Sequence, residues 1–310
     1  MRTMNDNGWT GRYENFRKPV PLYFNPEAGS SEITLEKIQD DARIRMMPVS
    51  PEKMEVLIKE AVSQGTKRVL VSGGDGTVAL VSSILAGKNT ELAIIPCGTL
   101  NHFAQRVGIP VDPAEALDVA LYGNAHRVDV GYVNDMLFVN TSSVGAYSIF
   151  VRSRKYLQNR MHYLPASIIA GFRRFLKFRR IRVNLAGKQL KTPLVFIGVG
   201  ERELSFPALG QTKKQGRKGL HLIAVNCNSS LEAFMLVVKS LFLGIDPLQK
   251  ERRIENQLVD EIELTFYRSK SRIRRINVAL DGELVWLQTP LKYRFAPGEI
   301  MVAMPGELQP

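Results

Sequence analysis

Between residues 19 and 123, apolar runs of strand length alternate with amphipathic stretches of helix length. PVPLYF (19–24), ARIRMM (42–47), TKRVLVS (66–72) and ELAIIP (91–96) read as strands. ITLEKIQDDA (33–42), PEKMEVLIKEAVSQG (51–65), TVALVSSILAG (77–87) and DPAEALDVALYG (112–123) read as helices, the second opened by Pro51 and closed by Gly65. Strictly local hairpins are excluded, because helices of this length between strands carry the chain back across a sheet. The pattern predicts a parallel sheet with helices on both faces.

After about residue 125 the pattern changes. HRVDVGYVNDMLFVNTSSV (126–144) reads as a hairpin around Val133–Asp135. IRVNLAG, TPLVFIGVG, GLHLIAVN, LVDEIELTFY, SRIRRINVALDGE, LKYRFAP and EIMVAMP follow as separate strand-like segments, interrupted by one amphipathic helix, SLEAFMLVVKSLFLG (230–244). This half reads as an antiparallel β-sandwich. The expected fold class is therefore α/β plus all-β. Residues 17–125, rejoined by 298–310, form an α/β domain, and residues 126–297 form the sandwich.

The first domain carries three polar, glycine-bearing turns at strand ends. FNPEAGS follows the first strand, with Asn25, Pro26 and Gly29; SGGDGT follows the third, with Gly73, Gly74, Asp75, Gly76 and Thr77; PCGTLN follows the fourth, with Gly98, Thr99 and Asn101. Ligands of open parallel sheets sit beyond the carboxyl ends of the strands, so three such turns on one edge make a rim. Glycines let backbone N–H groups approach an anion, and a helix N-terminus adds partial positive charge. SGGDGT is neither a GK[ST] phosphate loop nor GxGxxG. A carboxylate at Asp75, beside phosphates, calls for a Mg²⁺ ion or a hydroxyl proton as intermediary.

The net charge is +12, and its distribution is uneven: residues 136–200 hold twelve Lys/Arg and no Asp or Glu. Such a block favours an anionic partner. Between 150 and 180 the cations are mixed with Phe150, Tyr156, Tyr163, Phe172, Phe175 and Phe178, a combination suited to a membrane interface. Nucleic acid is not expected, since no RNA-binding motif accompanies the block. Cys97 and Cys227 match no metal spacing and read as buried thiols in a reducing compartment. The N-terminus has no signal-peptide pattern and no apolar run reaches membrane-spanning length, which points to a cytoplasmic, peripherally membrane-associated protein.

FNPEAG, SGGDGTV, PCGTLNHFA and NVALDGE, in that order, resemble the diacylglycerol-kinase catalytic family, which includes bacterial lipid kinases and the sphingosine and ceramide kinases. The likeness runs from about residue 19 to 305. It implies a nucleotide-binding α/β domain and a β-sandwich with the active site in the cleft between them. It also implies ATP- and Mg²⁺-dependent phosphorylation of a lipid hydroxyl. By position, Gly73 to Thr77 would cradle ATP phosphates, Asn25 would line the same pocket, and Gly98, Thr99 and Asn101 would contact the nucleotide. Asp281 and Glu283 would carry the chemistry, Asp281 as general base with Asp75 its rival or a Mg²⁺ partner. The Asp281-Gly282 pair alone reads equally as a hairpin turn. The chain departs from the family at Ala79, Leu80 and His102, and at QTKKQGRKGLHLIAV (211–225). There Arg217, Lys218 and His221 stand where relatives place acidic ligands of an accessory Mg²⁺, so no ligand set is assigned.

Overall fold

The structure is a computed structural model, and it describes residues 19–27, 35–145, 181–185, 188–192, 194–202, 213, 215–225, 254–268 and 271–306. The helix expected at 230–244, Gly29, Cys227 and nearly all of the basic 150–182 block lie outside the described residues. The chain divides into a first unit, Met1–Asp129 with Gly298–Pro310, and a second unit, Val130–Pro297.

In the first unit the described strands are β1 (Val20–Phe24), β2 (Ile44–Pro48), β3 (Arg68–Gly73) and β4 (Glu91–Pro96). They pair in parallel in the order β2-β1-β3-β4. Strands β3 and β4 are buried from their second residue onward, as expected where a parallel sheet is covered on both faces. The helices start where their caps dictate. Ser50 accepts the Lys53 N–H ahead of α1 (Pro51–Ser63), with Pro at the first helical position. Helix α2 (Asp75–Leu85) opens directly from the Gly74 turn and buries Val78, Val81 and Leu85. After the short α3 (His102–Arg106), α4 (Pro113–Tyr122) starts at Asp112, whose carboxylate accepts the Ala114 and Glu115 N–H groups. Arg68 closes the other end of α4. It pairs with Glu91 at 2.6 Å and donates to the Ala120, Leu121 and Gly123 carbonyls, which satisfies groups the last turn leaves open.

The remaining strands are β5 (Asn124–Val133), β6 (Met136–Phe138), β7 (Thr141–Gly145), β8 (Ile181–Leu185), β9 (Lys188–Thr192), β10 (Leu194–Val199), β11 (Leu220–Val225), β12 (Ile254–Val259), β13 (Glu261–Arg268), β14 (Ser271–Arg272), β15 (Arg275–Leu280), β16 (Glu283–Gln288) and β17 (Leu291–Met304). One antiparallel sheet runs β12-β11-β10-β7-β15-β16. The other continues the parallel sheet from β4 through β17 to β13, β8 and β9. In the second unit the facing residues of the two sheets form one core. Val183, Leu264, Phe266 and Tyr293 meet Val144, Ile197, Leu222 and Val278 there. Tyr293 is fully buried; its hydroxyl keeps a partner in Ser142 Oγ at 2.9 Å, and burial pushes its pKa up.

Three segmentations differ from the sequence reading. LVDEIELTFY is broken at Asp260 into β12 and β13, which lie in different sheets. SRIRRINVALDGE likewise splits into β14 and β15. Conversely LKYRFAP and EIMVAMP form the single strand β17, which pairs antiparallel with β13 at one end and parallel with β4 at the other. Hydrophobic alternation continues across Asp260 and through Pro297-Gly298; which sheet each segment joins is a tertiary choice.

Candidate functional site

The rim lies in the first unit. Strands β1, β3 and β4 are neighbours and parallel, so Asn25, the Gly73–Thr77 turn and the Gly98–Asn101 turn leave the sheet at one edge. Asn25 Oδ1 accepts the Glu27 N–H at 3.0 Å, closing its own turn. The other two turns touch each other. A Cβ on Gly98 would stand 2.5 Å from Gly74 Cα, and one on Gly74 would stand 3.0 Å from Gly98 Cα. A Cβ on Gly73 would fall 2.3 Å from Thr77 Cβ. Three of the four glycines are thus required by close packing of protein on protein. Gly76 is the exception: a Cβ there would meet no atom beyond its own helix within 4 Å among the described residues, and the residue is exposed in the first turn of α2.

The polar side chains build the same rim. Asp75 accepts the Phe103 N–H at 3.0 Å and the His102 N–H at 3.2 Å, so it caps α3 from the neighbouring turn. Asn101 holds the N-cap position of that helix with a left-handed φ of 50°, yet its side chain does not cap it. Instead Asn101 accepts the Gly98 N–H and donates to the Gly98 carbonyl, both at 2.8 Å. His102 contributes its backbone, and its side chain is exposed. Thr99 is exposed at the tip. Cys97 is buried behind the turn, and burial pushes its thiol pKa up.

The acidic turn lies in the second unit. Asp281 and Gly282 form the two-residue connection of β15 and β16, with φ of 45° and 90°. This is the hairpin expected of an Asp-Gly pair. The side chain nevertheless has work beyond the turn. Asp281 Oδ1 accepts the Asn140 and Thr141 N–H groups at 2.7 and 2.8 Å, and Oδ2 accepts the Val139 N–H at 2.6 Å. The Asp281 N–H returns a bond to the Thr141 carbonyl at 2.8 Å. Glu283 opens β16 and is exposed.

The 211–225 segment has a local explanation for its basic character. Glu201 accepts the Arg217 N–H at 3.0 Å and pairs with Lys213 at 3.2 Å and Arg217 at 3.3 Å, which together hold its carboxyl down to about 2. Among the described residues no group of three or more His, Cys, Asp or Glu is arranged to hold a metal ion. Sequence reasoning passed over Arg202, whose buried side chain lies across Gly198 and reaches the Asn140 carbonyl. A strand-end glycine four residues before a lone arginine, in GVGER, was the available signal. No helix among the described residues is long and apolar enough to cross a membrane.

Residues 20–133, which include the whole rim, match the diacylglycerol kinase catalytic domain. That segment is similar to the family's catalytic domain, and it makes up less than half of the chain. It is 32% identical over 149 residues to "Probable lipid kinase YegS-like" of Pseudomonas putida, covering 46% of this chain and 50% of that one. A protein of the same description from Pseudomonas fluorescens is 27% identical over 265 residues, covering 81% and 82%. In the first two such relatives the chain spans half or less of the relative's own length. The fold is that of a diacylglycerol kinase from Bacillus anthracis, with a TM-score of 0.62 at 20% identity over 93% of this chain and 97% of that one.

Proposed function

We propose that this protein is an ATP-dependent lipid kinase that transfers the γ-phosphate of ATP to the hydroxyl of a diacylglycerol-like lipid. The observation that carries the reading is Gly76, the one glycine of the turn whose Cβ would meet no neighbouring atom within 4 Å among the described residues. It stands in the first turn of an 11-residue helix, at the carboxyl edge of a parallel sheet. The amides of that turn have no acceptor within the helix and suit a phosphate. The residues fit the nucleotide on this count. Mg²⁺ bound with the nucleotide would neutralise charge developing on the transferred phosphoryl group.

In this reading Gly74, Gly76, Thr77 and Gly98 hold the phosphates, and Asn25, Thr99 and Asn101 border the nucleotide. Asp75 keeps the start of α3 in register with the phosphate turn. Asp281 takes the proton of the lipid hydroxyl as the new O–P bond forms and the bond from the γ-phosphorus to the bridging oxygen breaks; ADP leaves with that oxygen. Glu283 stands next to this turn. The basic 150–182 region draws the protein to an anionic membrane surface, with ~1 kcal/mol per cation close to the surface.

The test offers γ-labelled ATP with a bacterial lipid extract in one arm and with NAD in another. Label in the lipid phase is expected, and mass spectrometry of the labelled lipid names the substrate. Label confined to the aqueous arm overturns the acceptor class; no transfer in either arm leaves a nucleotide- or lipid-binding regulator in its place.

A further inference from the structure

The Asn140 peptide is gripped from both sides. Its N–H, with those of Val139 and Thr141, is held by the Asp281 carboxylate. Its carbonyl accepts the Arg202 guanidinium at 2.6 Å and the Val199 N–H at 2.9 Å. Arg202 also donates to the Val199 carbonyl at 2.9 Å. A guanidinium buried to 6% exposure is costly unless its donors and charge are used. The fold makes room for it: a Cβ on Gly198 would stand 2.4 Å from Arg202 Nε. The backbone of Arg202 is fixed as well. Its N–H donates to His221 Nδ1 at 2.7 Å. An Nδ1 that accepts forces the neutral ring to carry its proton on Nε2, which donates to Oδ1 of the exposed Asn256.

We infer that Arg202 is a positioning residue that fixes the 139–141 backbone against Asp281, and that His221 is its pH-sensitive latch. This rests on the proposed role of Asp281 in phosphoryl transfer. A proton added to His221 lands on Nδ1 and points at the Arg202 N–H, so one of the two must move. The groups facing His221 are Asn256, Glu201, Arg202 and Lys213. Burial lowers its pKa, Asn256 and Glu201 act the other way, and Arg202 and Lys213 add to the lowering. The neutral form is therefore the folded form. Its contribution is complete above the ordinary histidine value of about 6.5 and is lost as pH falls below it. Release of the Arg202 backbone loosens the guanidinium from the Asn140 carbonyl, and the segment clamped by Asp281 loses its second support.

The experiment measures amide hydrogen exchange at residues 139–141 and steady-state kinetics, both from pH 5 to 8, in the full chain and in Arg202→Leu, Gly198→Ala and His221→Gln. Arg202→Leu is expected to raise exchange at 139–141 about tenfold or more. It should lower kcat about tenfold to a hundredfold with the KM for ATP unchanged. Gly198→Ala, which keeps the arginine but displaces it, should do the same to a smaller degree and guards against misfolding of the first variant. His221→Gln keeps an acceptor for the Arg202 N–H and cannot titrate, so the acid loss of protection, taken against the intrinsic exchange rate at each pH, and the acid fall in kcat should both vanish. Exchange at 139–141 that ignores Arg202→Leu and Gly198→Ala overturns the proposal, as does an acid limb that survives in His221→Gln. Exchange that responds while kcat does not supports the positioning role and removes Asp281 from the chemistry.

Discussion

Asp75-Gly76 and Asp281-Gly282 are the same dipeptide put to opposite physical uses. In both, the carboxylate is tied to backbone amides of another segment: two at the start of α3 for Asp75, three at 139–141 for Asp281. The glycines differ. Gly282 is needed for its own backbone, since φ is 90° and a side chain there is strained although space is open. Gly76 is in ordinary helical backbone, where glycine is a poor choice for stability, and it too faces open space. The hairpin glycine is explained by the fold; the helical one has no close contact among the described residues to explain it, and in the proposed reading it leaves room for a phosphate.

The comparison can be broken at its strongest point first. Asp281→Asn should lower kcat about 10²–10⁴-fold with little change in the KM for ATP, because a base is lost and the amide of Asn presents a donor to backbone donors. A milder effect than that of Asp75→Asn in the same assay would exchange the roles given to the two carboxylates. Gly98→Ala comes next. Its Cβ would meet Gly74 Cα at 2.5 Å and Asn101 Oδ1 at 2.8 Å, so a loss of about 1–3 kcal/mol is expected in denaturant unfolding, together with weakened ATP binding. Asp75→Ala should cost about 1 kcal/mol of stability as a cap to α3, read from the same unfolding curves. The smallest change in stability sharpens the contrast most. Gly76→Ala should stabilise the protein by about 0.4–1 kcal/mol while weakening ATP in a calorimetric titration, whereas Gly282→Ala should destabilise and leave ATP affinity alone. Equal behaviour of the two glycine variants would remove the distinction.

Much of the fold was legible because local and global signals agreed. The alternation before residue 123 placed three polar turns after β1, β3 and β4, and those strands are neighbours in the sheet. The start of α1 at Pro51 was readable from residue type alone. The sequence was silent where a partner lies far along the chain. That Asp75 caps α3, while Asn101 at the cap position turns back to Gly98, depends on two loops meeting. The Arg202–Asn140 and Arg202–His221 bonds join residues 62 and 19 positions apart, and no periodicity reports them. The break at Asp260 was hidden because both sides of it alternate correctly for a strand.

The meeting of Gly74 with Gly98 has a consequence for how this protein can change. Each position forbids a side chain because of the other's bare backbone, so a library that randomises one loop while holding its neighbour constant will return mostly the parental residue. New specificity at this edge is reachable only by altering both loops in concert, or by leaving their shared seam alone and varying the outward tip at Thr99.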